Sequence, residues 1–119
     1  MAKTLVLGAS PNPERYSNIA VHRLVSKGHE VIAVGTRKGS IAGIPILNDQ
    51  PELKGIDTIT LYVNPQRQEQ YYDYLLRLKP GRVIFNPGTE NPKFINLLKQ
   101  SSIEPIIACT LVMLSTDQY

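Results

Sequence analysis

Thr4-Leu5-Val6-Leu7-Gly8-Ala9-Ser10-Pro11-Asn12-Pro13-Glu14-Arg15-Tyr16-Ser17 is the stretch that decides the fold. Thr4–Leu7 is apolar and β-branched, as a strand buried on both faces of a parallel sheet should be. Gly8 permits a tight turn at its end. A helical pattern then runs from Ser17 to Lys27, with Ala20, Val21, Leu24 and Val25 on one face and Gly28 placed to stop it. Strand, glycine turn and helix in that order open a parallel crossover unit. The alternation continues with strand-like runs at Val31–Val34, Thr58–Val63, Arg82–Phe85 and Glu104–Ile107. Helical patterns fall at Gln66–Leu78 and Asn91–Gln100. Each opens with an Asn-Pro pair (Asn64-Pro65, Asn91-Pro92), in which Asn caps free amides and Pro fits the first turn. Gly39, Gly43, Pro45 and Pro51 argue against a long helix in Arg37–Leu53 and predict a loop with a short strand or turn. A turn and short helix are expected from Ala108 onward. The expected fold is a single α/β domain over residues 1–119. It is a Rossmann-like, three-layer fold with a five-stranded parallel sheet in the order 3-2-1-4-5.

The 119 residues, 42% of them apolar, supply one hydrophobic core. The single Cys109 excludes an internal disulfide, and two histidines give no zinc-ligand spacing. No apolar run approaches the ~18–20 residues of a membrane span, and Met1-Ala2-Lys3 leads into a stretch too short for a signal peptide. These features predict a soluble protein of a reducing compartment, the cytoplasm. Residues 1–40 carry Lys3, Arg15, Arg23, Lys27, Arg37 and Lys38 against Glu14 and Glu30, a local charge of +4 within a total of +3. The excess favours an anionic small molecule near the N-terminal third and is too small for a nucleic-acid platform.

In an open parallel sheet, ligands bind beyond the carboxyl ends of the strands. The G-x-G-x-x-G spacing of dinucleotide sites fails at Gly8–Pro13, where Pro11 and Pro13 remove two amide donors. The helix starting near Ser17 still offers free N–H groups and a positive dipole end to a phosphate, and Arg15 can reinforce it. After the second strand, Gly35-Thr36-Arg37-Lys38 lacks the carboxylate that accepts from the ribose hydroxyls of NAD. Its two cations suit a phosphorylated ribose, the 3′-phosphate of coenzyme A or the 2′-phosphate of NADP alike. Tyr62-Val63-Asn64 can line an adenine or pantetheine channel. Asn86-Pro87-Gly88-Thr89-Glu90 is a tight polar turn able to touch another part of an extended ligand. No catalytic residue emerges: His22 falls within the first helix, His29 in a turn at the other edge of the sheet, and Ser10 has no histidine partner. Cys109, at the end of the fifth strand, is the one reactive candidate.

These segments together resemble the small single-domain CoA-binding proteins, whose wider relatives include the CoA-binding domain of the succinyl-CoA synthetase alpha subunit. The resemblance spans nearly the whole chain. It rests on Val6–Ser17 with its S-x-N-P-x-R-x-S run, on Gly28–Val34, and on Gly43-Ile44-Pro45-Ile46. It implies a CoA site at the strand ends. Gly8, Ala9, Ser10, Arg15, Tyr16 and Ser17 match the loop that holds the phosphates. Gly35, Thr36, Arg37 and Lys38 match the loop near the 3′-phosphate. Tyr62, Val63 and Asn64 match the segment along the nucleotide, and Pro87 with Gly88 the next turn. Gly35-Thr36 stands where the family often has Asn-Pro.

The functional expectation is a module that binds coenzyme A or an acyl-CoA without chemistry of its own, with no metal and with a protein partner or second copy left open. The alternative is an enzyme, either an NADP-dependent reductase or one component of a multi-chain acyl-CoA ligase. A redox or ligand sensor acting through Cys109 is a third reading.

Overall fold

The computed structural model describes residues 3–119. A seven-stranded sheet is built from β1 (Lys3–Leu7), β2 (Glu30–Val34), β3 (Ser40–Ile41), β4 (Ile44–Leu47), β5 (Thr58–Leu61), β6 (Arg82–Phe85) and β7 (Glu104–Ile107), in the order β3-β4-β2-β1-β5-β6-β7. All neighbours pair parallel except β3 with β4. The helices are α1 (Tyr16–Ser26), α2 (Pro65–Gln68), α3 (Tyr72–Leu78), α4 (Pro92–Gln100) and α5 (Thr110–Ser115). Among the described residues, no helix is long and apolar enough to cross a membrane.

Side chains alternate across each strand, so the buried residues of this one domain pack as a cluster on each face of the sheet. Leu5 and Leu7 face one side with Ile59, Leu61, Val83 and Phe85, beneath Tyr74, Leu75, Phe94 and Leu98 from α3 and α4. Val6 faces the other side with Val31 and Ala33, beneath Val21 and Leu24 of α1 and Leu114 of α5. The sheet with helices on both faces is the expected Rossmann-like architecture.

Three expectations need correction. The sheet has seven strands, not five, because the segment expected to be a loop with a short strand or turn holds two strands, paired as a hairpin over Ser40–Leu47. Its two-residue turn, Ala42-Gly43, holds both residues at positive φ (50° and 80°), the geometry that matches strand twist in tight hairpins. Strands this short carry too few residues for their period to show in the sequence. The strand order changes with it: β4 takes the place outside β2, and Thr58–Leu61 lies beside β1 instead of beyond β2. Counting β4 as the third parallel strand gives 3-2-1-4-5-6, flanked by the antiparallel β3. Finally, Gln66–Leu78 is not one helix, since a 3₁₀ turn at Glu69–Tyr71 separates α2 from α3. The break directly follows Gln68, whose buried side chain is tied to the neighbouring loops rather than aligned with the helix face below it.

Candidate functional site

Strand order reverses between β1 and β5, and loops leaving these strands in opposite directions open a crevice there. A cleft of about 550 Å³ occupies that place. One wall is the turn after β1. The Gly8 and Ala9 amides both donate to the Val34 carbonyl (2.8 and 2.9 Å), drawing this turn onto the end of β2. Gly8 has φ +93°, and a Cβ there would stand 2.8 Å from the Tyr62 carbonyl oxygen. Asn18, buried in the first turn of α1, donates to the Ser10 carbonyl at 2.9 Å and folds the Pro11–Pro13 loop back over the helix start. The loop after β2 is pinned by Asn48, which donates to the carbonyls of Gly35 (3.0 Å) and Arg37 (2.8 Å).

The opposite wall comes from the ends of β5 and β6. Gln68 is fully buried and joins them: its Nε2 donates to the Val63 and Thr89 carbonyls, both at 2.8 Å, while its Oε1 accepts from Asn91 Nδ2 at 2.9 Å. Asn86, also buried, donates to Thr60 Oγ1 (2.7 Å) and to the Leu61 carbonyl (2.8 Å), fixing the root of the Pro87-Gly88-Thr89 turn. Tyr62 lies against the cleft with its buried phenol lacking a hydrogen-bond partner. Burial pushes that phenol up to about 12. The nearby Thr60 and Thr110 hydroxyls pull the other way but are bonded to each other at 2.8 Å.

The helix starts at this rim differ from one another. Asn64 Oδ1 accepts from Arg67 N in α2, Asn91 Oδ1 from Phe94 N in α4, and Asn86 Oδ1 from Thr110 N in α5. Helix α1 has Arg15 in the cap position, no side-chain cap and no acidic residue in its first turn. Neither the Tyr16 nor the Ser17 amide has a protein acceptor among the described residues. Both residues line the cleft. So do three arginine residues, Arg15, Arg37 and Arg67, whereas among the described residues no acidic one does. None of the three arginines is in an ion pair among the described residues. A helix dipole end and three arginines at one cleft favour negative charge there, although the Glu90 carboxylate accepts from the Gly88 amide (2.8 Å) beside its lining.

A family model for a CoA binding domain matches residues 2–115. The chain belongs to that CoA-binding domain family. No curated protein matches this CoA-binding domain. A crystal structure of an uncharacterized protein is 54% identical, with a TM-score of 0.98 over 100% of this chain and 98% of its own. A hypothetical protein from Pyrococcus horikoshii OT3 is 21% identical, with a TM-score of 0.86 over 95% of this chain and 81% of its own. A conserved hypothetical protein from Pyrococcus furiosus is 28% identical, with a TM-score of 0.82 over 94% and 98%.

The domain brings together most of the residues singled out from sequence. Gly8, Ala9, Ser10, Arg15, Tyr16 and Ser17 line the cleft from β1 and α1, Thr36 and Arg37 from β2, and Tyr62, Asn64, Pro87 and Gly88 from β5 and β6. Gly35, Lys38 and Val63 do not line it. Gly35 is a packing site, because a Cβ there would lie 2.1 Å from the Ala9 carbonyl oxygen. Val63 is buried beside Gly8 at 3% exposure. Lys38 is exposed outside the cleft. Thr89 lines the cleft as part of the Asn86–Glu90 turn, whereas Arg67 lines it without having been singled out. The charge of Arg67, two residues beyond Asn64-Pro65, was the only available signal. His22, His29 and Cys109 lie outside the cleft lining.

Proposed function

We propose that this domain binds coenzyme A or an acyl-CoA across the carboxyl ends of β2, β1, β5 and β6, and performs no chemistry on its own. The uncapped start of α1, open to a cleft with three unpaired arginines and no acid, carries the reading. The pyrophosphate rests on the Tyr16 and Ser17 amides beside Arg15, where the dipole and the guanidinium favour the same charge. Arg37, at the end of β2, pairs with the 3′-phosphate of the ribose, and Lys38 adds to the field around it. Adenine and pantetheine lie along the walls formed by Thr36, Tyr62 and the Pro87-Gly88 turn. The groups lining the cleft supply neither a nucleophile paired with a base nor a metal-binding cluster, so the cleft holds its ligand rather than converting it.

Calorimetric titration with CoA, 3′-dephospho-CoA and NADP tests the reading. CoA should bind most tightly, with 3′-dephospho-CoA weaker by about 10-fold or more, the value of one charge-assisted contact. Equal affinities for the first two remove the role given to Arg37. Preference for NADP over CoA removes the reading altogether.

A further inference from the structure

The cleft holds one more cation than the contacts just described use. Arg67 lies in α2, which follows β5, and its side chain is in no ion pair or hydrogen bond among the described residues. Its neighbour Gln68 is locked to Val63 and Thr89, and its own amide is held by Asn64 Oδ1 at 2.9 Å, so the short helix that carries it is fixed at both ends. Arg37, Arg15 and Arg67 follow β2, β1 and β5, which are consecutive in the sheet. With neighbouring strands ~4.8 Å apart, the ends of these three strands form a row about 10 Å long across the rim, and the arginines lie in the loop and helix starts that follow it. A ligand with a single phosphate leaves two of these charges unanswered. A row of three fits a ribose phosphate followed by the two phosphoryl groups of a pyrophosphate.

We propose that Arg67 is a specificity-determining residue that pairs with the distal phosphoryl of the pyrophosphate, the one bearing the pantetheine arm. The inference rests on the CoA reading above and orients the ligand. The ribose phosphate lies at Arg37, the proximal phosphoryl at Arg15 and α1, and the distal phosphoryl at Arg67, with the arm leaving toward Pro87-Gly88. Recognition then demands three phosphoryl groups in sequence, and the third is read by the side chain that follows β5.

The test crosses three variants, Arg67→Gln, Arg67→Lys and Arg37→Gln, with three ligands. Adenosine 3′,5′-bisphosphate lacks the distal phosphoryl, 3′-dephospho-CoA lacks the ribose phosphate, and CoA has both. Arg67→Gln should weaken CoA and 3′-dephospho-CoA by about 10- to 100-fold and leave adenosine 3′,5′-bisphosphate unchanged, as loss of one charge-assisted contact requires. Arg37→Gln should weaken CoA and the bisphosphate and spare 3′-dephospho-CoA. Arg67→Lys should recover part of the lost affinity as a point charge without the planar fork. Urea midpoints of the variants confirm folding, because neither side chain supports the core. Equal loss of all three ligands in Arg67→Gln overturns the assignment in favour of a diffuse field effect. Unchanged CoA affinity in Arg67→Gln also overturns it. A wild-type protein without affinity for CoA overturns the parent reading and this inference with it, a result distinct from the other two.

Discussion

Replacing Gln68 with leucine removes the three hydrogen bonds that tie the end of β5 to the loop after β6 and to the cap of α4. The residue is 0% exposed, so water cannot take over from the lost amide. The substitution leaves the Val63 and Thr89 carbonyls and one Asn91 N–H without that partner, although Asn91 Nδ2 keeps its 2.8 Å bond to the Tyr72 hydroxyl. A buried unsatisfied group costs about 1–3 kcal/mol, and burying a leucine returns roughly 2 kcal/mol. Three groups at ~2 kcal/mol against that gain leave a net loss of about 4 kcal/mol, a large part of the ~5–15 kcal/mol typical of a domain. With a urea slope of about 2 kcal/mol/M, the unfolding midpoint should fall by roughly 2 M. A fall of less than ~0.5 M at unchanged slope would refute the view that Gln68 is the clamp between the two cleft walls. Gln68→Glu sharpens the test, since a carboxylate keeps the Asn91 contact but aims negative charge at two carbonyls. Its native carboxyl is then raised above the ordinary value. The variant should therefore regain stability as the pH falls and lose it as the pH rises through the native value.

Gly35→Ala should lower stability by about 1–3 kcal/mol in urea melts, because its Cβ collides with the Ala9 carbonyl, whereas Lys38→Ala should have little effect. Asn64→Ala removes one helix cap and should cost about 0.5–2 kcal/mol. Asn91→Ala should cost more, because Asn91 also donates to Gln68 and Tyr72, and equal losses would argue against that wider network. Tyr74 is 1% exposed and donates to the Pro51 carbonyl at 2.7 Å. Burial, aided by the Glu52 and Asp49 carboxylates, pushes its phenol up to about 12. The phenols of Tyr74 and Tyr62 thus stay neutral in the native state after they ionise in the unfolded chain near pH ~10. Stability should be intact below that pH and decline from there toward pH 12, and a flat profile of urea midpoints over this range would contradict it.

The alternation of strands and helices was legible along the chain, because each period and each Asn-Pro or glycine boundary is local. So was the character of the first loop: Gly8, Ser10, Arg15 and Ser17 lie in one short stretch between β1 and α1, so their proximity needs no long-range information. Tertiary structure decided what depends on contacts between distant segments. The hairpin at Ser40–Leu47 joins the sheet where β4 lies against β2, through Ala33–Ile46 and Val34–Leu47 pairs. Its position moves Thr58–Leu61 next to β1 and puts the crevice between them. Arg37 and Lys38 are adjacent and alike in sequence, yet only Arg37 lines the cleft. Arg67 reads as an ordinary polar helix residue until Gln68 fixes α2 to two loops and sets that arginine at the rim. Charge can be counted along a chain, but the side on which it falls is set by packing between elements far apart in sequence.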